Sequence, residues 1–155
     1  MPLNDDQEGQ RKLAAILAAD VAGYSKLMAD DERATIASLK VARAVFRERI
    51  EAHAGRLIDT TGDSVLAEFR SPVEAVECAV EIQRQPKTIN APAPDHRQIH
   101  FRIGVNLGDV IEEAGGTIYG DGVNVAARLE GLAEPGGIML GLFVELQSPG
   151  LVFPG

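Results

Sequence analysis

The order of apolar segments constrains the fold of this chain more than any other feature of its sequence. The run KLAAILAADVAG, residues 12–23, is short and apolar and closes at Gly23, as expected for a buried strand. Residues 30–55 follow with apolar side chains near helical spacing, acidic residues at the start and Gly55 at the end. The chain therefore begins with a strand and continues into an amphipathic helix.

The middle of the sequence predicts a hairpin and a second helix. Two short apolar stretches flank the turn sequence TTGD within residues 55–69, which is a hairpin signal. Residues 71–85 return to helical spacing, with Ser71 as the expected cap and Pro72 in the first helical position. A proline-rich surface loop over residues 86–98 separates this helix from the next strand.

The last third of the sequence completes a recognisable order of elements. Residues 99–116 are typical of a strand and turn, IYGDGVNVAARLEGLAEPGG of a helix between two turns, and GGIMLG of a strand. The order β-α-β-β-α-β, with a helix and a strand added, predicts an α+β domain of ferredoxin-like pattern, an antiparallel sheet with helices on one face. We expect a flexible segment over residues 1–11, one domain over residues 12–140, and a truncated or divergent tail over residues 141–155.

Composition and charge narrow the classes of protein to which this chain can belong. The formal net charge of -8 argues against a nucleic-acid binder, whose usual mark is a basic patch, but leaves room for a small anionic ligand. The sole cysteine, Cys78, lies in an apolar helical pattern and is expected to be a buried thiol in a reducing compartment. The run LAAILAA is too short to span a bilayer, so we expect a cytoplasmic domain with no direct membrane insertion and any anchor outside this chain.

Four polar residues are candidates for chemistry. Asp20 closes the first strand and Asp63 lies at the tip of the predicted hairpin, so their carboxylates would converge if these strands are neighbours. Converging carboxylates suit Mg²⁺, and two ions held together can bridge an attacking and a leaving oxygen. Asn124 and Arg128 share one face of the third helix. Taken one at a time, the aspartates are better explained as turn residues and the helix pair as a solvated face.

Taken together and in order, four motifs resemble those of the class III adenylate and guanylate cyclase catalytic domain. The motifs are LAADVAGYS, DTTGDSVLAEF, FRIGVNLGDV and YGDGVNVAARLEGLAEPGG. The resemblance extends from Lys12 to Leu140 and implies a purine nucleoside triphosphate, ATP or GTP, as substrate, with two Mg²⁺ or Mn²⁺ ions per site. It also implies a head-to-tail homodimer, in which one chain supplies the metal aspartates and its partner supplies the Asn/Arg pair.

The resemblance assigns roles to the residues around the first strand and the hairpin. Asp20 and Asp63 match two metal-binding aspartates, and Val21 matches a position whose backbone carbonyl also contacts a metal. A turn whose amides bind the β- and γ-phosphates is matched by Gly23, Tyr24 and Ser25. The implied reaction is intramolecular phosphoryl transfer, in which the ribose 3′-hydroxyl attacks the α-phosphorus and pyrophosphate leaves.

The remaining matches concern the ribose, the α-phosphate and the base. Asn124 matches an asparagine that orients the ribose, and Arg128 an arginine that stabilises charge on the α-phosphate. Adenylate cyclases usually have lysine where Asp59 stands and aspartate or threonine where Thr117 stands, whereas guanylate cyclases have glutamate at the Asp59 position. Asp59 could accept from guanine N1–H, or from the adenine 6-amino group while the Thr117 hydroxyl donates to N1. The base therefore stays open between adenine and guanine.

The end of the sequence departs from the family pattern. After GGIML the family continues through more sheet and carries a lysine that binds the substrate phosphates, whereas no lysine follows Lys87 here. Two functions stay open: an active cyclase, and a degenerate or truncated domain that dimerises or binds nucleotide without turnover. Both metal aspartates, Asn124 and Arg128 favour the first, and Asp59 with the missing lysine favours the second.

Overall fold

The computed structural model describes residues 9–85, 89–90 and 93–147. Residues 1–8, parts of the proline-rich loop and the end of the expected tail, residues 148–155, lie outside the described residues. The strands are β1 (Gln10–Val21), β2 (Arg56–Asp59), β3 (Val65–Phe69), β4 (Phe101–Glu112), β5 (Ile118–Tyr119) and β6 (Ile138–Leu140). The helices are α1 (Tyr24–Asp30), α2 (Glu32–Ala52), α3 (Pro72–Gln83), α4 (Asp121–Leu132) and α5 (Leu142–Gln147).

The sheet has the strand order of the ferredoxin-like pattern. Its strands run in the order β2-β3-β1-β4-β5 with antiparallel neighbours, and β6 pairs in parallel with β4. β1 pairs with β4 along its whole length, from Gln10 opposite Glu112 to Val21 opposite Phe101. The predicted α+β fold with an added helix and strand is therefore confirmed.

Strand β1 separates two layers of apolar packing, because alternate side chains of a strand face opposite sides of a sheet. Ala15 and Leu17 belong to the larger core cluster, which α2 and α3 cover. Ile16 and Ala18 belong to a smaller cluster that includes Ala126 of α4. The two helices of the ferredoxin-like pattern thus share one face, as predicted, and the added helix α4 covers the other face.

Helix α4 lies close against β4 because the strand carries a glycine where the two elements cross. A Cβ atom on Gly104 would lie 2.4 Å from the carbonyl oxygen of Ala126 and 2.4 Å from the amide nitrogen of Glu130. Both distances are far inside van der Waals contact, so any side chain here would push the helix away from the strand. Gly104 therefore sets how near the second half of α4 comes to β4.

The helix starts follow local capping chemistry. Pro72 is the first residue of α3, and Ser71 Oγ accepts a hydrogen bond from the amide of Glu74 at 3.2 Å, as predicted. Asp31 has an extended backbone that separates α1 from α2, and its carboxylate accepts from the amide of Ala34 at 2.9 Å. The helix predicted over residues 30–55 is therefore α2, and a short separate helix that was not predicted, α1, precedes it.

The ends of the domain differ from the sequence-based boundaries. β1 begins at Gln10, ahead of the expected domain start at Lys12, and it pairs there with Glu112. Helix α5 occupies the start of the expected tail and buries Val144 in the larger core cluster. Strand β1 thus begins before residue 12, and α5 lies after residue 140.

The structure bears on the expected burial of Cys78 and on the length of apolar helices. Cys78 has no exposed surface, and burial raises the pKa of its thiol to about 12, so it is an uncharged core residue, as predicted. Among the described residues, no helix combines the length and the apolar character that crossing a bilayer requires.

Candidate active site

The two aspartates singled out in the sequence lie at the same end of the sheet. Asp20 is the next-to-last residue of β1, and Asp63 lies in the turn between β2 and β3. β3 pairs with β1 from Ala19 opposite Val65, which brings this turn alongside the end of β1. The backbone amide of Val21 donates to Asp63 Oδ2 at 3.1 Å. The structure therefore brings Asp20, Val21 and Asp63 together.

The turn that carries Asp63 is held both by its backbone and by α2. Gly62 has a φ of +59°, a left-handed conformation that favours glycine. The amide of Ser64 donates to the carbonyl oxygen of Thr61 at 2.9 Å, which closes the turn. The guanidinium of Arg43 on α2 donates to the carbonyl oxygen of Gly62. Arg43 was not identified from the sequence, and it ties the Asp63 turn to the helix layer.

Arg102 is a second residue that was not identified from the sequence. It stands opposite Asp20 in the register of β1 and β4. Its Nε donates to Asp20 Oδ1 at 2.9 Å and its Nη2 to Oδ2 at 2.7 Å, a two-point pair of guanidinium and carboxylate. The hydrogen bond to Asp20 raises the pKa of Arg102 above its ordinary value. Both oxygens of one candidate metal ligand thus contact a cation in this structure.

Glu130 adds a third carboxylate to this end of the sheet. Its side chain is 13% exposed, and its Oε2 lies 3.7 Å from Arg102 Nη2. Burial raises the pKa of Glu130 to about 7, and the charges of Asp20 and Asp63 act in the same direction. Arg102 contacts the carboxylates of Asp20 and Glu130, and Asp63 lies at the same end of the sheet. This excess of negative charge and the oxygen-only donor set fit a hard divalent cation such as Mg²⁺ or Mn²⁺.

Helix α4 presents different side chains on its two faces. Val123, Ala126 and Glu130 follow helical spacing and face the sheet. Asn124 and Arg128 are exposed, and Arg128 lies about 200° around the helix axis from both Ala126 and Glu130. The Asn/Arg pair therefore shares an outward face and points away from the aspartates of its own chain. In the sequence, Glu130 falls at helical spacing from Val123 and Ala126. This spacing could have identified it as a residue on the buried face of the helix.

The turn expected to bind phosphates follows β1 directly. Gly23 has a φ of +65°, precedes α1 and accepts a hydrogen bond from the amide of Leu27 at 3.1 Å. Ser25 is exposed, whereas Tyr24 is half-buried and packs against the larger core cluster. A single residue separates Val21 from Gly23, so this turn lies next to the acidic end of β1 along the chain.

The two base-selecting positions lie at the edge strand β2 and in the turn between β4 and β5. Asp59 ends β2, is exposed and accepts a hydrogen bond from Thr61 Oγ1 at 2.9 Å. Thr117 is exposed and follows Gly116. Arg56 of β2 donates to the carbonyl oxygen of Gly116 at 2.8 Å, so the sheet curls enough for the edge strand to contact this turn. No hydrogen bond joins Asp59 to Thr117 in the described part of the chain.

The chain matches known proteins over almost the whole domain. The family model described as adenylate and guanylate cyclase catalytic domain matches residues 7–145. The protein named "Putative adenylate cyclase 3" of Rhizobium meliloti is 48% identical over 132 residues, which cover 84% of this chain and 22% of that relative. The protein named "Adenylate cyclase" of Glutamicibacter nicotianae is 33% identical over 127 residues, which cover 81% of this chain and 30% of that relative.

A solved structure shows the same fold. The crystal structure of an adenylate/guanylate cyclase/hydrolase from Silicibacter pomeroyi matches with a TM-score of 0.81 and 41% sequence identity. The match covers 90% of this chain and 81% of that chain. By contrast, the chain spans less than a third of the length of the two curated relatives.

Proposed function

We propose that this chain, which belongs to the family of adenylate and guanylate cyclase catalytic domains, converts a purine nucleoside triphosphate to a 3′,5′-cyclic nucleotide and pyrophosphate. The observation that carries the proposal is the convergence of Asp20, Asp63 and Glu130 at one end of the sheet. A carboxylate cluster suits the divalent cations that accompany a triphosphate. A cytoplasmic location belongs to the same proposal, because a single buried cysteine suits a reducing compartment.

Two Mg²⁺ or Mn²⁺ ions per site are part of the proposal. Asp20 and Asp63 would hold them through carboxylate oxygens, and Val21 through its backbone carbonyl. When bound, the ions neutralise charge on the triphosphate and lower the pKa of the ribose 3′-hydroxyl. Because both oxygens of Asp20 accept from Arg102 in this structure, an ion would bind Asp20 through the remaining lone pairs or displace the guanidinium from one oxygen. Glu130, 3.7 Å from Arg102, is the neighbouring carboxylate that can then accept from the guanidinium.

The other candidate residues act on the nucleotide. Asn124 orients the ribose, and Arg128 stabilises the charge that develops on the α-phosphate. The amides of Gly23, Tyr24 and Ser25 bind the β- and γ-phosphates. The 3′-oxygen attacks the α-phosphorus in line, the bond from the α-phosphorus to the bridging oxygen breaks, pyrophosphate leaves, and the hydroxyl proton passes to solvent. Positioning and electrostatics account for most of such catalysis.

The proposed active unit is a head-to-tail homodimer. Glu130 on the inward face of α4 is near Asp20 of the same chain, whereas Asn124 and Arg128 lie on the outward face. One nucleotide could not contact both groups within a single chain without crossing the helix. A second copy that presents its own α4 would complete the site, and two-fold symmetry would form two sites per dimer.

ATP is the first substrate to test. The two relatives described above are named adenylate cyclases. The exposed Asp59 carboxylate can accept from the 6-amino group of adenine, and the Thr117 hydroxyl can donate to N1. Guanine offers Asp59 two donors, N1–H and the 2-amino group, so GTP is the direct competitor in the same assay.

A second candidate function is nucleotide binding without turnover. The pairing of Asp20 with Arg102 favours it, because the guanidinium charge competes with a divalent ion for the same carboxylate. If that pair persists when nucleotide binds, the chain would bind a triphosphate through one aspartate and leave its 3′-hydroxyl unactivated.

One experiment separates these functions. The purified chain is incubated with ATP or GTP, each with Mg²⁺ or Mn²⁺, and the products are separated by chromatography. We expect metal-dependent formation of cyclic nucleotide, and no product from Asp63→Asn, which keeps the size of the side chain and removes its charge. Binding by calorimetry without any product would favour the second candidate. The absence of both binding and product would overturn the assignment of the site.

A further inference from the structure

A second group of metal-ligating side chains lies where the end of α2 meets α3. His53 caps the C-terminal end of α2, and Glu74 and Glu77 lie three residues apart on one face of α3. One ligand atom from each of the three lies within 4.8 Å of the others. His53 is only 11% exposed, whereas the glutamates are 42% and 43% exposed. The group is therefore anchored in the protein on its imidazole side and open to water on its carboxylate side.

The distances within this group suit a four-coordinate ion. A tetrahedral zinc ion about 2.0–2.2 Å from its nitrogen and oxygen ligands needs ligand atoms roughly 3.3–3.6 Å apart. His53 Nδ1 lies 3.0 Å from Glu74 Oε2 and 3.9 Å from Glu77 Oε2, values on either side of that separation. Small rotations of two partly exposed carboxylates would supply three ligands, and water would take the fourth position.

The other nitrogen of His53 already has the partner that metal-binding histidines usually have. His53 Nε2 lies 2.8 Å from Glu81 Oε2, and Arg49 Nη1 donates to Glu81 Oε1 at 2.7 Å. A carboxylate on Nε2 fixes the ring and leaves Nδ1 to face the two glutamates.

The donor atoms favour a different cation from the one expected beside Asp20. A set of one imidazole nitrogen and carboxylate oxygens suits zinc and similar transition ions, whereas Mg²⁺ prefers oxygen ligands alone. The group is also separate from the aspartates. Arg56 follows His53 by three residues, and it is level with Ile16 across the sheet because both residues pair with Glu68. Ile16 lies about 13 Å from Asp20 along β1.

We propose that His53, Glu74 and Glu77 form a binding site for a zinc-like divalent ion, with Glu81 orienting the imidazole. The ion would join the C-terminal end of α2 to the first half of α3, the two helices that cover the same face of the sheet. The site is independent of the proposed cyclase reaction, because it contains none of the residues assigned to the nucleotide.

The competing explanation is that His53 bridges Glu74 and Glu81 by hydrogen bonds without any metal. The charged groups that face it from the two helices are Arg49, Glu74, Glu77 and Glu81. A metal ion on Nδ1 must replace the hydrogen bond to Glu74 Oε2, so metal and proton compete for the same nitrogen. Metal binding should therefore weaken as the pH is lowered.

Cobalt(II) is the probe, because tetrahedral Co²⁺ absorbs visible light strongly and octahedral Co²⁺ does so weakly. The whole chain carrying Asp63→Asn, which weakens binding at the other acidic end, is titrated with Co²⁺ without nucleotide. Variants His53→Gln, Glu77→Gln and Glu81→Gln are made in that background. Glu51→Gln is the matched control, because Glu51 is an exposed glutamate of α2 outside the proposed site.

We expect a tetrahedral spectrum with one Co²⁺ per chain, displaced by Zn²⁺ and unchanged in Glu51→Gln. Glu77→Gln and His53→Gln should lose the spectrum, and Glu81→Gln should weaken the affinity by roughly 10- to 100-fold. Glu77→Gln keeps the test valid if His53→Gln fails to fold, because Glu77 is partly exposed and 3.9 Å from the imidazole. No tetrahedral spectrum in the parent, or an unchanged spectrum and affinity in Glu77→Gln, would overturn the proposal.

Discussion

The two faces of α4 place their polar side chains in opposite environments. On the inward face, Glu130 is nearly buried, 3.7 Å from Arg102, and the charge of Asp20 helps to raise its pKa. On the outward face, Asn124 and Arg128 are exposed. A single helix therefore completes the acidic end of its own chain and, in the proposed dimer, contributes to the nucleotide site of the partner chain.

In the proposed dimer, this difference means that one chain contains all the proposed residues and yet supplies only half of each site. The acidic half is assembled by strand pairing and by close packing at Gly104, which the fold fixes. The Asn/Arg half needs only a stable helix with an exposed face. Changes to the inward face should therefore alter stability and metal binding, whereas changes to the outward face should alter turnover alone.

The largest expected effects distinguish the acidic half of the site from the Asn/Arg half. A variant of the first should lose nucleotide binding, and a variant of the second should lose turnover. Asp63→Ala should abolish metal-dependent nucleotide binding, because it removes a ligand of the ions. Arg128→Ala should keep binding but lower turnover on the order of 10³-fold, the lower range for an arginine that stabilises a phosphoryl-transfer transition state. Calorimetry with Mn²⁺ and a non-hydrolysable nucleotide, together with product formation, measures both. Equal loss of nucleotide binding in the two variants would contradict this division of the site into two halves.

The next effect tests the packing of the inward face. Gly104→Ala should lower the free energy of unfolding by about 1–3 kcal/mol, because its Cβ would overlap the backbone of α4. Gly131→Ala is the matched control, since a Cβ on this α4 glycine would meet nothing within 4 Å. Urea denaturation of both variants checks the prediction. A Gly104→Ala protein as stable as the control would mean that α4 is not closely packed on β4.

A change of base specificity at Asp59 should leave metal binding at the acidic half of the site unaffected. If Asp59 contacts the base, Asp59→Lys should move the ratio of ATP to GTP turnover toward ATP, because lysine donates to adenine N1 and repels guanine N1–H. One mismatched buried hydrogen bond costs about 1–3 kcal/mol, which corresponds to roughly a 5- to 150-fold change in the ratio. Parallel assays with the two nucleotides measure it. An unchanged ratio would place Asp59 outside the base site.

The last effect is a pH dependence of stability that arises on the inward face. Since the pKa of Glu130 is raised from 4.5 to about 7, the folded chain holds a proton that the unfolded chain loses between those values. Stability should therefore fall as the pH rises through this range in the absence of metal. Glu130→Gln should flatten this fall, and Glu134→Gln, at an exposed site, should not. Urea denaturation across the range is the measurement, and equal slopes in both variants would contradict the prediction.

The sequence was most informative where structure depends on neighbours along the chain. The hairpin around TTGD, the Ser71 cap and the helical spacing of α4 are local patterns, and the structure contains each of them. The convergence of Asp20 with Asp63 was predicted on the condition that β1 lies beside the hairpin, and β1 does pair with β3. Local pattern and strand order together were sufficient for these features.

The sequence was least informative where distant segments meet. Asp20 and Arg102 are 82 residues apart in sequence and meet only through the register of β1 and β4. Arg43 reaches the Asp63 turn from a helix, and Glu130 reaches Asp20 only because Gly104 admits α4 so closely. Helical periodicity also could not predict which face of the sheet α4 covers. Such contacts depend on packing, which no short segment encodes.

The shared site is the central claim, and mixing two inactive chains tests it most directly. Asp63→Ala lacks the acidic half and Arg128→Ala lacks the outward half, so each homodimer should make no or very little cyclic nucleotide. Random pairing in an equal mixture should give one intact site in each heterodimer, and hence about a quarter of the wild-type activity. Recovery to that level is the predicted result. No recovery on mixing, with heterodimers confirmed by sedimentation of differently tagged chains, would contradict the claim.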